Sequence, residues 1–218
     1  TRLSVHRLRG GEMAITVESE SITAGERIPA EHAFGVPDGA GKAAAEGGNR
    51  SPQLRWSGHP EGTQSFALVC VDPDVPADFS DANQEGKTIA EDAARRDFTH
   101  WLVADIPPDV TEIAEGAGSE GIVAGGKPTG EAGFGGITGA NNYTESMGDG
   151  VYGNYDGPFP PWNDERMHSY HFRVYALGVP SLGLSGDFKL DDVTSAMEGH
   201  VLDQGELVGT YTLNAEKL

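Results

Sequence analysis

Four side chains in this sequence carry chemistry at spacings that a β-sheet can gather. Asp72 closes the apolar run "SFALVCVD" (65–72), and His100 stands near the head of "FTHWLVADI" (98–106). His168 and Tyr170 open "HSYHFRVYAL" (168–177). Alternate residues of a strand share a face. Phe66, Leu68, Cys70 and Asp72 therefore point together, as do Phe98, His100, Leu102 and Ala104, and His168, Tyr170, Phe172 and Val174. Each face is apolar apart from a polar group near one end. If the second and third strands run antiparallel to the first, all of these groups come to the same sheet edge. A carboxylate, two imidazoles and a phenol gathered there would make a polar site at one end of an apolar sheet. Asp72, His100 and His168 also match a three-ligand metal face, the basis of an alternative reading as a metal-dependent hydrolase. No H-x-E-x-H type spacing supports that alternative, and no G-x-S-x-G elbow supports a serine hydrolase. The plainer reading makes the histidines packing residues and "DPDVP" (72–76) a turn.

The elements that must position these groups are short apolar runs between turn signals. With 31 glycines and 13 prolines, the pattern points to an all-β fold, a sandwich or a barrel. Strands are expected at 13–19, 53–57, 64–72, 98–106, 168–177 and 206–213. One helix is expected at 191–204, where Val193, Met197 and Val201 recur at helical spacing and Gly205 stops it. Long connections at 33–50, 77–97 and 114–161 are functional loops or tolerated insertions. No internal repeat or linker appears, so residues 1–218 read as one domain. Before the fifth strand, "YDGPFPPWNDERMHSY" (155–170) combines Gly157, which permits close backbone approach, with Pro158, Pro160 and Pro161. It reads as a stiff pocket wall, with Phe159 or Trp162 as an aromatic face.

The net charge of −19 comes from 34 acids against ten arginines and five lysines. Such a balance repels nucleic acid and anionic membranes. The acids are spread along the chain, giving an acidic surface of the kind suited to a salt-rich cytoplasm, where ions screen self-repulsion; the chain reads as halophilic. The lone Cys70 sits in an apolar run and reads as a small packed hydrophobe. No stretch is long and apolar enough to span a membrane. The N-terminal segment lacks a signal-peptide core, although the first residue is Thr and a leader removed upstream of it stays open. A cytoplasmic location is expected, and no pattern calls for a cofactor.

The series "NRSPQLRW", "VDPDVP", "THWLVADIP", "YDGPFPP" and "HSYHF" resembles the phosphatidylethanolamine-binding protein family, in particular its bacterial and archaeal, Raf kinase inhibitor-like branch. The order and spacing match from about residue 13 to the C-terminus, apart from the long loops. The closing "HVLDQGELVGTY" also looks like that branch. The resemblance implies a Greek-key β-sandwich of two antiparallel sheets, with a short C-terminal helix and Gly-rich loops. It implies a pocket at one end of the central sheet that receives phosphate-like anions, such as a phospholipid head group or a phosphorylated residue.

Carried over by motif, the ligand-binding residues are Asp72 and Asp74 of the DPD motif, His100, Gly157 of the proline-rich loop, and His168 with Tyr170. No catalytic residue is implied. Protein partners of the family include kinases and a protease, and a homodimer is compatible with the sequence. Two departures stand out. Ser169 replaces the arginine usual between the histidine and the tyrosine, a loss for which Arg166 can substitute. Phe159 stands where the loop is often small and narrows the mouth. The insertions at 77–97 and 114–150 are expected either to lid the pocket or to occlude it.

Overall fold

The computed structural model describes residues 15–218. The N-terminal segment, including Met13 and Ala14 of the first expected strand, lies outside the described residues. The described residues fold as eleven strands and two α-helices. The strands are β1 (Thr16–Glu18), β2 (Val36–Pro37), β3 (Ala43–Ala44), β4 (Leu54–Ser57), β5 (Ser65–Pro76), β6 (Arg95–Ile106), β7 (Glu112–Ile113), β8 (Gly130–Glu131), β9 (Ile137–Thr138), β10 (His168–Leu177) and β11 (Val201–Tyr211). The helices are α1 (Tyr143–Met147) and α2 (Leu190–Met197). The fold is mostly β, and all its sheets are antiparallel.

Instead of two sheets, the described residues form three. A six-stranded sheet runs β11-β10-β5-β6-β9-β8, a three-stranded sheet runs β1-β4-β7, and β2 pairs with β3. The central strand β5 is antiparallel to both β6 and β10, which is the arrangement that gathers the polar strand ends. Its near-continuous apolar run follows from burial on both faces. One face contributes Phe66, Leu68 and Cys70 to a cluster with Val17, Leu54, Trp56 and Ile113 of the three-stranded sheet. The other contributes Ala67, Val69 and Val71 to a cluster with Val193 and Met197 of α2. Cys70 is buried, and burial pushes its thiol well above the usual range, so it packs as a hydrophobe.

Two expected boundaries move. The helix expected at 191–204 ends at Met197, and Val201 belongs to β11. Gly199 adopts φ +78° and turns the chain, and β11 then pairs along the whole of β10. Ladder hydrogen bonds thus outweigh a helical period that Val201 would have extended. Strand β5 also continues past Asp72 to Pro76, pairing Val75 with Arg96 and Pro76 with Arg95 across a register break. Among the described residues no helix is long and apolar enough to cross a membrane.

Candidate ligand-binding site

Asp72 stands where β5 begins to lose its regular ladder. Pro73 has no N–H to give, and the pairing with β6 breaks between Asp72 and Val75. The Asp74 N–H turns back and donates to Asp72 Oδ1 at 2.7 Å. This is the local turn chemistry of an aspartate, used here inside a strand end. It fixes the carboxylate and leaves Oδ2 facing β10, where His168 Nδ1 lies 2.6 Å away.

His168 is wholly buried, and its second nitrogen, Nε2, lies 2.9 Å from Asp164 Oδ2. Burial alone would lower the imidazole's pKa. The hydrogen bonds to Asp164 and Asp72 outweigh it and raise the value to about 9. Asp164 in turn is clamped by Arg95, through Nη1 at 2.6 Å and Nη2 at 3.1 Å. Burial would raise the Asp164 pKa, but the bonds from His168 and Arg95 prevail and hold it below the usual carboxylate range. The result is a row of alternating charge, Asp72, His168, Asp164 and Arg95, that sums to zero beneath an acidic exterior.

Asp74 is satisfied separately. Its Oδ2 accepts from the Ser169 N–H at 2.8 Å and the Ser169 hydroxyl at 2.7 Å, and Arg166 Nε lies 2.9 Å from Oδ1. Arg166 and the Ser169 hydroxyl together thus pair the DPD loop where the family usually has an arginine.

His100 and Tyr170 face the open space. The His100 Nδ1–H donates to the Asp156 carbonyl at 2.8 Å. Burial pushes the His100 pKa down, with the Asp72 charge opposing. The ring is therefore neutral near pH 7 with its proton on Nδ1, and Nε2 carries the lone pair. The Tyr170 ring packs edge-on to His100, with centroids 5.1 Å apart. Its hydroxyl is buried close to the Asp72 carboxylate, but meets no partner in good hydrogen-bonding geometry. Burial and the Asp72 charge push this phenol well above its ordinary range, so it stays a donor.

A cavity of about 140 Å³ opens beside these groups, lined on its polar side by Asp72, His100, Tyr170, Asn83 and Ser146. Val75, Phe98, Tyr143, Phe159, Pro160 and Pro161 form apolar walls, and Phe79 and Met147 complete the lining. Phe79 is 46% exposed and Met147 38%, which puts both at the mouth. Each long insertion contributes, the first through Phe79 and Asn83 and the second through Tyr143, Ser146 and Met147.

Of the six residues the sequence assigned to the ligand, three line the cavity: Asp72, His100 and Tyr170. Asp74 and His168 lie behind them. With both ring nitrogens held by carboxylates, His168 offers none to a metal, so Asp72, His100 and His168 do not form a three-ligand face. Gly157 also lies outside the lining. Its N–H donates to Asn49 Oδ1 at 2.8 Å and its carbonyl accepts from the Tyr143 hydroxyl at 2.6 Å. A Cβ there would collide with the His32 carbonyl. Glycine is needed for close approach of the wall, and its N–H is not offered to a ligand. Phe159 supplies the aromatic wall, stacked on Phe34 with centroids 5.7 Å apart, whereas Trp162 does not line the cavity.

Sequence reasoning missed the supports. Asp164 and Arg95 hold His168, and Asp156 holds His100. The Asp156 carboxylate is itself buried, receiving Asn49 Nδ2 at 2.8 Å and Asn141 Nδ2 at 2.9 Å. The only signal for Asp164 was its place four residues before His168.

The family described as phosphatidylethanolamine-binding protein matches residues 18–212, a span that holds every residue of this site. The chain belongs to the phosphatidylethanolamine-binding protein family. A UPF0098 protein of Methanothermobacter thermautotrophicus is 35% identical over 166 residues, covering 76% of this chain and 85% of that protein. YbcL of Escherichia coli, another UPF0098 protein, is 32% identical over 205 residues, covering 94% and 82%. The crystal structure of E. coli YbcL, described as a new member of the mammalian PEBP family, superposes with a TM-score of 0.66 at 27% identity. It covers 92% of this chain and 99% of that one. A putative homologue from Chlamydia trachomatis gives a TM-score of 0.63 at 26% identity, covering 91% and 97%.

Proposed function

We propose that this family member binds a small phosphate-like anion in the cavity, without catalysis. The observation that carries the reading is the buried, unpartnered Tyr170 hydroxyl opening beside Asp72 and His100. A buried donor without a partner costs about 1–3 kcal/mol. A bound oxyanion removes that cost. A singly protonated phosphate fits the donor and acceptor set. Its O–H donates to the Asp72 carboxylate, one anionic oxygen accepts from Tyr170, and another accepts from His100 Nε2 once that nitrogen is protonated. The charge on Asp72 does not forbid this, because the row from Asp72 to Arg95 sums to zero.

Size supports a head group rather than a whole lipid. A cavity near 150 Å³ is filled by a molecule of about benzene's size, and this one is about 140 Å³. Charge-assisted hydrogen bonds contribute roughly 1.5–3 kcal/mol each. Two or three total roughly 3–9 kcal/mol, and after an association cost of at least about 4 kcal/mol the affinity is about millimolar or weaker. A phosphomonoester, such as a phosphorylated residue of a kinase or protease partner, carries the O–H that donates to Asp72; the phosphodiester of phosphatidylethanolamine, which the family's description names, has none and would offer Asp72 only its ammonium group.

Titration calorimetry with inorganic phosphate, phosphoethanolamine and phosphoserine tests the reading. All three bind the wild-type chain if the phosphate is what is recognised, and the order among them separates head group from phosphorylated residue. The Tyr170→Phe chain should bind each about tenfold or more weakly, since one such bond is worth at least 1.4 kcal/mol. Equal binding by both chains would refute the assignment.

A further inference from the structure

A second constellation lies outside the cavity. His32 is wholly buried, and its Nδ1–H donates to the Arg50 carbonyl at 2.8 Å, which leaves Nε2 with the lone pair. Nε2 is buried and makes no hydrogen bond. It nevertheless points at two carboxylates, with Glu31 Oε1 and Glu115 Oε1 each 3.5 Å away. An acidic pair alone means nothing on so acidic a chain. A fully buried imidazole aimed between the two, with its tautomer fixed from behind, is a ligand set.

We propose that Glu31, His32 and Glu115 form a divalent-cation site that takes Zn2+. The three donor atoms all lie within 4.8 Å of one another. Zn2+ bonds of 2.0–2.2 Å in a tetrahedron set neighbouring ligands about 3.4 Å apart, close to the two 3.5 Å separations. One imidazole with two carboxylates suits this ion, and Glu31, with its side chain 60% exposed, leaves the fourth position to water. The supporting contacts are those of a ligand site. Glu115 Oε1 also accepts from the Ser21 hydroxyl at 2.8 Å, while Oε2 is held by Arg50 Nη1 at 3.2 Å.

The site's place in the fold gives it a structural role. The His32 carbonyl accepts from the Tyr155 hydroxyl at 2.6 Å, and the Phe34 and Gly35 N–H groups donate to the Pro158 carbonyl at 2.9 and 3.0 Å. A cation here ties the loop after β7 to the segment that backs the proline-rich cavity wall. The inference does not depend on the anion reading, because none of its ligands lines the cavity.

The test uses the full chain without an affinity tag, in about 1 M salt, where screening to roughly 3 Å suppresses non-specific uptake by surface acids. Zn2+ is titrated against a chromophoric chelator, with the histidine rings followed by NMR. The expected result is one Zn2+ per chain, a shift of the His32 ring alone, and roughly tenfold or greater weakening in Glu31→Gln and in Glu115→Gln. His32→Gln should abolish binding. Because that residue is buried, the exposed Glu31 variant is decisive. No stoichiometric uptake, undiminished affinity in Glu31→Gln, or a shift of His100 in place of His32 would each overturn the proposal.

Discussion

His168 Nδ1 lies 2.6 Å from Asp72 Oδ2 in a place no solvent reaches. The relationship explains why a strand that reads as core ends in a carboxylate. The imidazolium behind Asp72 holds the charge that this carboxylate presents to the cavity, and Asp164 and Arg95 hold the imidazolium. His168 therefore positions Asp72, and Tyr170 and His100 are the groups that face the cavity.

Removing one member of a buried charged pair leaves the other uncompensated. His168→Asn should lower stability by about 3–5 kcal/mol, read from urea denaturation midpoints. A loss below about 1 kcal/mol, the size of a surface pair, would contradict the buried row of charges.

The same pair sets a pH window. His168 titrates near 6.5 in the unfolded chain and near 9 in the folded one. The folded chain binds the extra proton between those values, so this contribution is full below pH 6.5 and is lost as pH rises toward 9. At about 1.4 kcal/mol per pH unit the loss reaches roughly 3 kcal/mol. On the acid side His100, whose folded pKa is lowered, favours the unfolded chain as pH falls below 6.5. Asp164, also lowered in the folded state, loses its contribution once pH drops below about 3.8. Urea midpoints measured from pH 6 to 9 should fall steadily, and a flat or rising profile would contradict the assignment.

How much of this was legible depends on the range of each interaction. The faces of β5, β6 and β10 follow from period-two alternation, so Asp72, His100 and Tyr170 were found at one sheet edge. The partners were not, because Asp164 and Asp156 lie in irregular loops where no period says which way a side chain points. His168 was found but given a ligand's role, since alternation cannot say that both its nitrogens are already taken. Gly157 was understood as a site of close approach, but its N–H was spoken for by Asn49, which lies 108 residues away in sequence. The helix boundary at Met197 failed for a related reason. The period continued to Val201, but pairing with β10 decided the outcome.

Tyr170→Phe separates stability from binding. The hydroxyl it removes is buried and unpartnered, so without ligand the variant should be at least as stable as the parent, by up to about 1 kcal/mol. Thermal melts without and with phosphate check this, since ligand should raise the parent's midpoint and leave the variant's nearly unmoved. A variant destabilised by several kcal/mol would mean that the hydroxyl has a structural partner.

The charge of −19 makes its own prediction. Raising salt from about 0.1 to 1 M shortens the screening length from roughly 10 to 3 Å. Self-repulsion of the acidic surface then weakens, and the urea midpoint at pH 7 should rise. The buried Asp72–His168 pair is little screened and should not reverse the trend. A midpoint that falls with salt would show that attractive surface pairs dominate.

The central claim is that Asp72, His100 and Tyr170 enclose an anion. It is tested most directly by following the histidine ring resonances while inorganic phosphate is added at pH 6. The His100 ring should shift and take up a proton as phosphate saturates, with a much weaker response in Tyr170→Phe. Phosphate that leaves the His100 ring unmoved at saturation would contradict the account.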